Sequence, residues 1–175
     1  MGQLGTVIQQ LSGPSFGYAE GLLKDIPAER FARHATPGGE PITANHPAWQ
    51  IGHLAIYPAK VAEACGLSLD GVANSEQDLE LFDAGSPCND DVDGSTYPGK
   101  DELPTKIFAG YRKLVDAAAA ADDEFLAGEH QGSEGMRERF PTRAALLSFM
   151  VSGHMMMHLG QISTWRRCEG MGSAF

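Results

Sequence analysis

The chain has 175 residues, 42% of them hydrophobic and 21% charged, which is typical of one globular domain spanning residues 1–175. Its 13 basic and 23 acidic residues give a formal net charge of −10. This charge argues against nucleic-acid binding, which draws its affinity from Lys and Arg on phosphates. No apolar run reaches the roughly 20 residues of a membrane span, and residues 1–10 lack the features of a signal peptide. We therefore expect a soluble, cytoplasmic protein.

Four stretches have helical periodicity and predict an all-α fold. The first runs from about residue 3 to 24, and Gly13-Pro14 predicts a kink or a later start. The second begins near His46-Pro47, where proline suits the first helical position, and ends at Gly66. Pro58 should bend it.

The next segment, 66–99, is acidic and rich in Asp, Gly, Ser and Pro. We expect a long loop in which a turn at 79–82 is anchored by burial of Leu81 or Phe82. Such a loop could cover a site, but a solvated connector is the preferred interpretation.

The third helix is predicted from Asp101 to about Phe125, and the fourth from Thr142 to Gly170. The apolar face of the fourth helix is expected to contain Leu147, Met150, Val151, Met157, Ile162 and Trp165. Short links make antiparallel neighbours of helices 1 and 2 and of helices 3 and 4, whereas the long 2–3 link permits a crossover. An up-down-down-up four-helix bundle fits this pattern.

Three histidines form the candidate site. His154 and His158 are four positions apart, so a helix projects both to one side, and the shared apolar face predicts that both point inward. His53 lies in the apolar second helix, where the neighbouring Gly52 would allow close packing. Because buried imidazoles need partners, the three histidines predict a site for one divalent metal ion.

The residues around the pair exclude two other classes of metalloprotein. No glutamate follows His154, so the base of a zinc metalloprotease is missing. The chain also lacks the Glu-x-x-His pairs of di-iron bundles, which favours a single ion. Three imidazoles suit zinc, nickel, iron or copper and leave a coordination position for water or substrate.

Further candidates surround these histidines. Gln161, one turn beyond His158, could orient a ligand or form an ordinary interhelical hydrogen bond. Trp49 and Tyr57 flank His53 at four positions on either side and could line a cofactor-binding pocket or pack in the core.

The other histidines and the cysteines have simpler interpretations. His46 should lie at a helix start, and His34 and His130 are expected in solvent-exposed loops. The cysteines form no CxxC pair and are predicted to be free thiols: Cys65, Cys88 and Cys168. Arg166-Arg167 should sit in the last turn of the fourth helix, where cations complement the helix dipole.

Two segments resemble the DinB/YfiT-like superfamily: Asn-His-Pro-Ala-Trp-Gln-Ile-Gly-His-Leu at 45–54 and His-Met-Met-Met-His-Leu-Gly-Gln-Ile at 154–162. The approach to helix 3, with Leu81-Phe82, Tyr97-Pro98 and Glu102-Leu103, is also similar, so the resemblance covers roughly residues 41–167. It implies a four-helix bundle, frequent homodimers, and nickel or zinc on the histidine triad. It also implies a transferase or isomerase that uses a small thiol.

Three functions remain open at this point. The first is a metal-dependent enzyme that acts through a small thiol or metal-activated water on a small-molecule substrate. The second is a non-catalytic, stress-associated metal-binding bundle. The third is a homodimeric interaction protein whose histidines pack without metal.

Overall fold

The computed structural model describes residues 2–174, and within this range the protein is all-helical. Its α-helices are α1 (Gln3–Leu23), α2 (Pro47–Cys65), α3 (Glu76–Phe82), α4 (Glu102–Ala120), α5 (Asp123–Ala127), α6 (Glu134–Arg139), α7 (Arg143–Phe149) and α8 (Met155–Cys168). A π-helical turn, Met150–His154, joins α7 to α8. Short 3-10 turns occupy Ala28–Arg30 and Pro37–Gly39. None of the helices in the described range is both long and apolar enough to cross a lipid bilayer.

The ends of α2 follow from its sequence. The His46 ring caps the helix by accepting a hydrogen bond from the backbone N–H of Trp49 at 3.2 Å, and Pro47 takes the first helical position. Gly66 ends the helix with a left-handed φ of 67°, a conformation in which glycine has no Cβ penalty. Both predicted ends of the second helix are therefore confirmed.

α1 runs from Gln3 to Leu23, which confirms the predicted bounds, and it continues through Pro14, so the alternative of a later start is wrong. One helix boundary differs from the prediction. The third predicted helix ends at Ala120, and Phe125 lies in the separate helix α5. The break occurs where Asp122 caps α5 by accepting the N–H of Phe125 at 2.7 Å, since an Asp side chain competes well for backbone donors.

The fourth predicted helix is α7, the π turn and α8 in succession. Thr142 caps its start, as predicted, by accepting the N–H of Ala145 at 3.1 Å. Met157 was assigned to its apolar face, but the side chain is 60% exposed. The assignment is wrong because α8 buries the side that contains Met155, Leu159 and Ile162, and Met157 projects away from that side.

Contacts between the long helices show their relative directions. α1 runs antiparallel to α4: Asp123 accepts the N–H groups of Gln3 and Leu4 at one end, and Phe16 packs edge-on to Phe108 further along. α1 and α8 run parallel, and their C-terminal ends meet at Arg166. Arg166 is in the last turn, as predicted, but it is buried, donates to the Leu22 carbonyl and pairs with Asp25.

α2 packs between α4 and α8. It lies parallel to α4, and Gly110 is so close to Pro58 that an added Cβ would meet the proline ring at 3.0 Å. It lies antiparallel to α8, since Gln50 contacts Gln161 near one end of the helix and Tyr57 contacts His154 near the other. α1 and α2 make little direct contact, and the same holds for α4 and α8, so the prediction that short links make each of these pairs neighbours is wrong. Instead, α4 and α8 each pack against both α1 and α2.

Candidate metal centre

The three predicted histidines meet between α2 and the π turn and α8. One nitrogen of each ring can be chosen so that all three lie within 4.8 Å of one another. The ring centroids are 4.6 Å apart for His53 and His158, 4.8 Å for His154 and His158, and 5.7 Å for His53 and His154. Three ligands of a tetrahedral ion at about 2.1 Å lie about 3.4 Å apart, so metal binding would draw the nitrogens together by up to about 1.4 Å. The cluster can therefore hold a metal ion.

The His53 ring is oriented by the segment that follows α2. Its Nδ1 donates to the backbone carbonyl of Phe82 at 2.7 Å, which leaves the lone pair of Nε2 for a ligand bond. This contact depends on Gly52, because a Cβ there would lie 2.2 Å from the Phe82 ring. Gly52 does allow close packing, as predicted, but against α3.

The His158 ring is oriented by a buried glutamine that sequence analysis missed. The His158 Nδ1–H donates to Oε1 of Gln50 at 2.5 Å, and Gln50 Nε2 donates to Oε1 of Gln161 at 2.5 Å. Gln50 is 0% exposed and lies three positions before His53 on the same helix. This spacing of about one helical turn places Gln50 on the same side of α2 as His53, and it could have identified Gln50 from the sequence. Gln161 therefore forms an interhelical hydrogen bond, one of its two predicted roles, and its partner is Gln50.

His154 has no such partner. It is 8% exposed, and its Nδ1 is a buried polar atom without a hydrogen bond to any described residue. It ends the π-helical turn, an uncommon feature that often marks functional positions. A buried ring nitrogen without a hydrogen bond lowers the stability of the fold unless a ligand binds to it.

Burial keeps all three rings neutral at physiological pH. Desolvation lowers the pKa of His154 to about 3, with further lowering from the neighbouring His158 and His53 rings. Desolvation likewise lowers the pKa of His158 to about 4 and also lowers the pKa of His53. Neutral imidazoles are the form that binds metal, so protons compete little for this site near pH 7.

Aromatic side chains wall the centre. Trp49 stacks on His53 with ring centroids 4.9 Å apart, and Tyr57 lies 4.9 Å from His53 and 4.4 Å from His154. The indole N–H of Trp49 is buried and has no hydrogen-bond partner among residues 2–174, and the same holds for the hydroxyl of Tyr111 on α4. Tyr57 adds to burial in raising the pKa of Tyr111, so both phenols lie near this region. Trp49 and Tyr57 therefore contact the histidines as well as the core.

Most of the 66–99 segment is exposed, as expected of a solvated connector, but specific contacts hold it in place and Phe82 joins it to the centre. Helix α3 begins with a Ser75–Asp78 capping box and ends at the buried Phe82. Further on, Asp90 pairs with Arg33 at 2.9 Å. The buried Asp91 carboxylate accepts backbone N–H groups of residues 95–97. Of these contacts, only the Asp90–Arg33 pair joins residues far apart in the chain, whereas the capping box and the Asp91 turn are local.

The other histidines lie outside the cluster. His46 is at the helix start, as predicted, and is buried, with Nε2 hydrogen-bonded to the Asn89 carbonyl at 3.0 Å. The predicted exposure of His130 is wrong: it is 0% exposed and bonded to the Gly132 N–H and the Phe140 carbonyl. His34 is half-buried, with Nε2 against the Cys88 carbonyl.

The cysteines are free thiols, as predicted, and none belongs to the cluster. Burial raises the pKa of Cys65 and of Cys88 to about 11, which disfavours a reactive thiolate at either position.

Comparison with known proteins does not assign the chain to a family: no protein-family model matches it, and no curated protein matches it.

Proposed function

We propose that the protein binds one divalent metal ion, zinc or nickel, and uses an open coordination position for a small thiol or for water. One observation carries this proposal: ligand nitrogens from His53, His154 and His158 lie within 4.8 Å of one another inside the protein. Three protein ligands with a further position for substrate are typical of catalytic sites, whereas structural zinc sites have four protein ligands.

The hydrogen bonds around the rings favour metal binding over simple packing. Two of the three histidines donate Nδ1–H to fixed acceptors, the Phe82 carbonyl and the Gln50 amide, and so direct Nε2 lone pairs into the cluster. Lone pairs from two rings facing one point repel each other unless a cation lies between them. The unpartnered Nδ1 of His154 adds to this argument.

The chemistry follows from the open position. A bound divalent ion would lower the pKa of a coordinated thiol or water and so supply a nucleophile at neutral pH. Trp49 and Tyr57 would exclude solvent from two sides of the histidines, while the half-buried His158 lies toward the surface where a ligand could enter.

We further propose a DinB-like, up-down-down-up four-helix bundle and a thiol S-transferase or isomerase type of reaction on a small molecule. The motifs at 45–54 and 154–162 support the likeness, and the directions of α1, α2, α4 and α8 agree with this topology. A homodimer stays a prediction of the resemblance.

Two measurements test the proposal. Elemental analysis of the purified protein should find about one zinc or nickel per chain. The metal-loaded protein, titrated with a small thiol, should bind it, and His158→Ala should abolish the response. Metal without thiol binding would favour the non-catalytic bundle, and a protein without stoichiometric metal would contradict the proposal altogether.

A further inference from the structure

A cavity of about 200 Å³ lies beside the candidate metal centre, between the end of α8 and the 35–45 segment. Both walls are held by hydrogen bonds. The indole N–H of Trp165 donates to the Arg33 carbonyl at 2.9 Å, and Ile42 N–H donates to the Ala35 carbonyl at 2.8 Å in an isolated β-bridge. The cavity is therefore a built feature of the fold.

Gln161 connects this cavity to the centre. Its side chain lines the cavity and also accepts the hydrogen bond from Gln50, whose other amide atom holds His158. Thr164 and Trp165 follow on the next turn of α8 and line the same cavity. Thr164 and Trp165 lie about 10 Å along α8 from His158, so a ligand bound at the histidines would reach this cavity by extending past Gln161 toward the C-terminal end of α8.

The lining indicates what the cavity accepts. No Asp, Glu, Lys or Arg lines it, although the chain has a formal net charge of −10, and its surface is mostly apolar. Ile42 is 41% exposed at this place, a large apolar side chain open to solvent. An uncharged apolar cavity favours an alkyl or aryl group and disfavours a carboxylate or an ammonium group.

A second cavity, of about 110 Å³, lies next to Tyr57, which contacts His53 and His154. Its other lining residues include Lys60 and Met150, and Lys60 pairs with Asp83 at 2.7 Å. Its surface is also mostly apolar, but its volume is about half that of the first cavity. It is therefore the alternative place for an apolar group, and the test must distinguish the two cavities.

We propose that the cavity lined by Thr164 and Trp165 binds the apolar alkyl or aryl group of a substrate whose polar head, a thiol or another metal ligand, sits at the histidines. This assignment rests on the proposed metal centre and specifies the class of molecule that the centre accepts: one with an uncharged apolar tail.

The test uses the full chain loaded with cobalt(II) and a series of n-alkane thiols from ethanethiol to hexanethiol. Ethanethiol reports on the metal centre alone through the cobalt–thiolate absorption band. Each added methylene should tighten binding roughly fourfold until the cavity is filled. Thr164→Phe, at an exposed helical position, should bring this gain close to onefold, and Thr164→Leu should reduce it by an intermediate amount.

The matched control is Ala64→Phe, which fills the smaller cavity and should leave the gain per methylene unchanged. Cobalt content and circular dichroism verify that each variant is folded and loaded. An ethanethiol band whose affinity does not rise with chain length contradicts this assignment but leaves the metal–thiol proposal intact. The assignment is also overturned if the gain in affinity per methylene is lost in Ala64→Phe and kept in Thr164→Phe. The absence of a band with every thiol overturns both proposals.

Discussion

The protein has two kinds of buried histidine. His46 and His130 are fully buried, and each has both ring nitrogens in hydrogen bonds with the backbone. His53 and His158 use only Nδ1 in hydrogen bonds within residues 2–174, and Nδ1 of His154 has no partner there. Burial alone therefore does not identify a metal ligand. The proposed ligands differ from these two buried histidines in having a ring nitrogen that the protein's own hydrogen bonds do not use.

The largest contrast should appear in metal binding. His154→Ala removes one of three ligands and should reduce bound metal from about one ion per chain to near zero after dialysis. His46→Ala should keep the metal and instead lower the free energy of unfolding by about 1–3 kcal/mol, because it leaves backbone groups unpaired. Elemental analysis and urea unfolding measure the two effects. If His46→Ala lost the metal while His154→Ala kept it, His154 would not be a metal ligand and His46 would be one.

The pH dependence of stability should be the next largest effect. In the metal-free folded protein, burial lowers the pKa of His154 to about 3 and of His158 and His46 to about 4, against 6.5 in the unfolded chain. The unfolded state therefore binds more protons as pH falls below 6.5. The free energy of unfolding should be level above pH 7 and fall by up to about 1.4 kcal/mol per pH unit for each histidine toward pH 5.

Urea unfolding at pH 7.5, 6.5, 5.5 and 5.0 measures this slope. The double variant His154→Leu/His158→Leu lacks two of the titrating rings and should show a clearly shallower slope between pH 6.5 and 5.0. Equal slopes in the two proteins would mean that these rings do not titrate as their burial implies.

The oriented ring of His158 offers a finer test. Gln50→Ala removes the acceptor of its Nδ1–H while keeping all three ligands, and it should weaken metal binding about 10- to 100-fold. Asn74→Ala is the control, since its side chain also bonds to α2, at the Ile56 carbonyl, away from the cluster. Competition with a chelator measures the affinity. Equal affinities in the two variants would remove Gln50 from the site.

The smallest effects concern the packing that supports His53. Gly52→Ala places a Cβ 2.2 Å from the Phe82 ring and should cost about 1–3 kcal/mol of stability and weaken metal binding. Gly160→Ala, also within a helix but with nothing near the added Cβ, should stabilise the protein by about 0.5–1 kcal/mol. Thermal unfolding with and without zinc distinguishes them. If the Gly52→Ala protein were as stable as the Gly160→Ala protein, α3 would be able to move away from α2 at little cost in free energy.

The candidate ligands could be predicted because they depend on local periodicity. His154 and His158 lie one turn apart, and His53 lies in a helix whose ends are marked by His46-Pro47 and Gly66. The Gln50 contact could not be predicted with the same assurance. It depends on how α2 and α8 are rotated toward each other, and the residues it joins are 108 and 111 positions apart.

The burial of His130 and the exposure of Met157 were predicted wrongly for a related reason. His130 lies in a short connecting segment whose sequence favours exposure, yet its ring is hydrogen-bonded to Gly132 and Phe140. Met157 lies two positions from Met155 and from Leu159, so it projects away from the buried side of α8. Which side of α8 is buried, and whether the His130 ring is buried, depend on packing between segments.

By itself, the sequence determined the all-helical class, the principal helix ends and the three histidines, because capping, glycine termination and one-turn spacing are local properties of the chain. Only the tertiary structure decided which ring nitrogens lack a hydrogen bond, how α3 packs against α2 and where an apolar cavity opens near Gln161. These features depend on contacts between residues far apart in sequence, and such contacts form only when the helices pack.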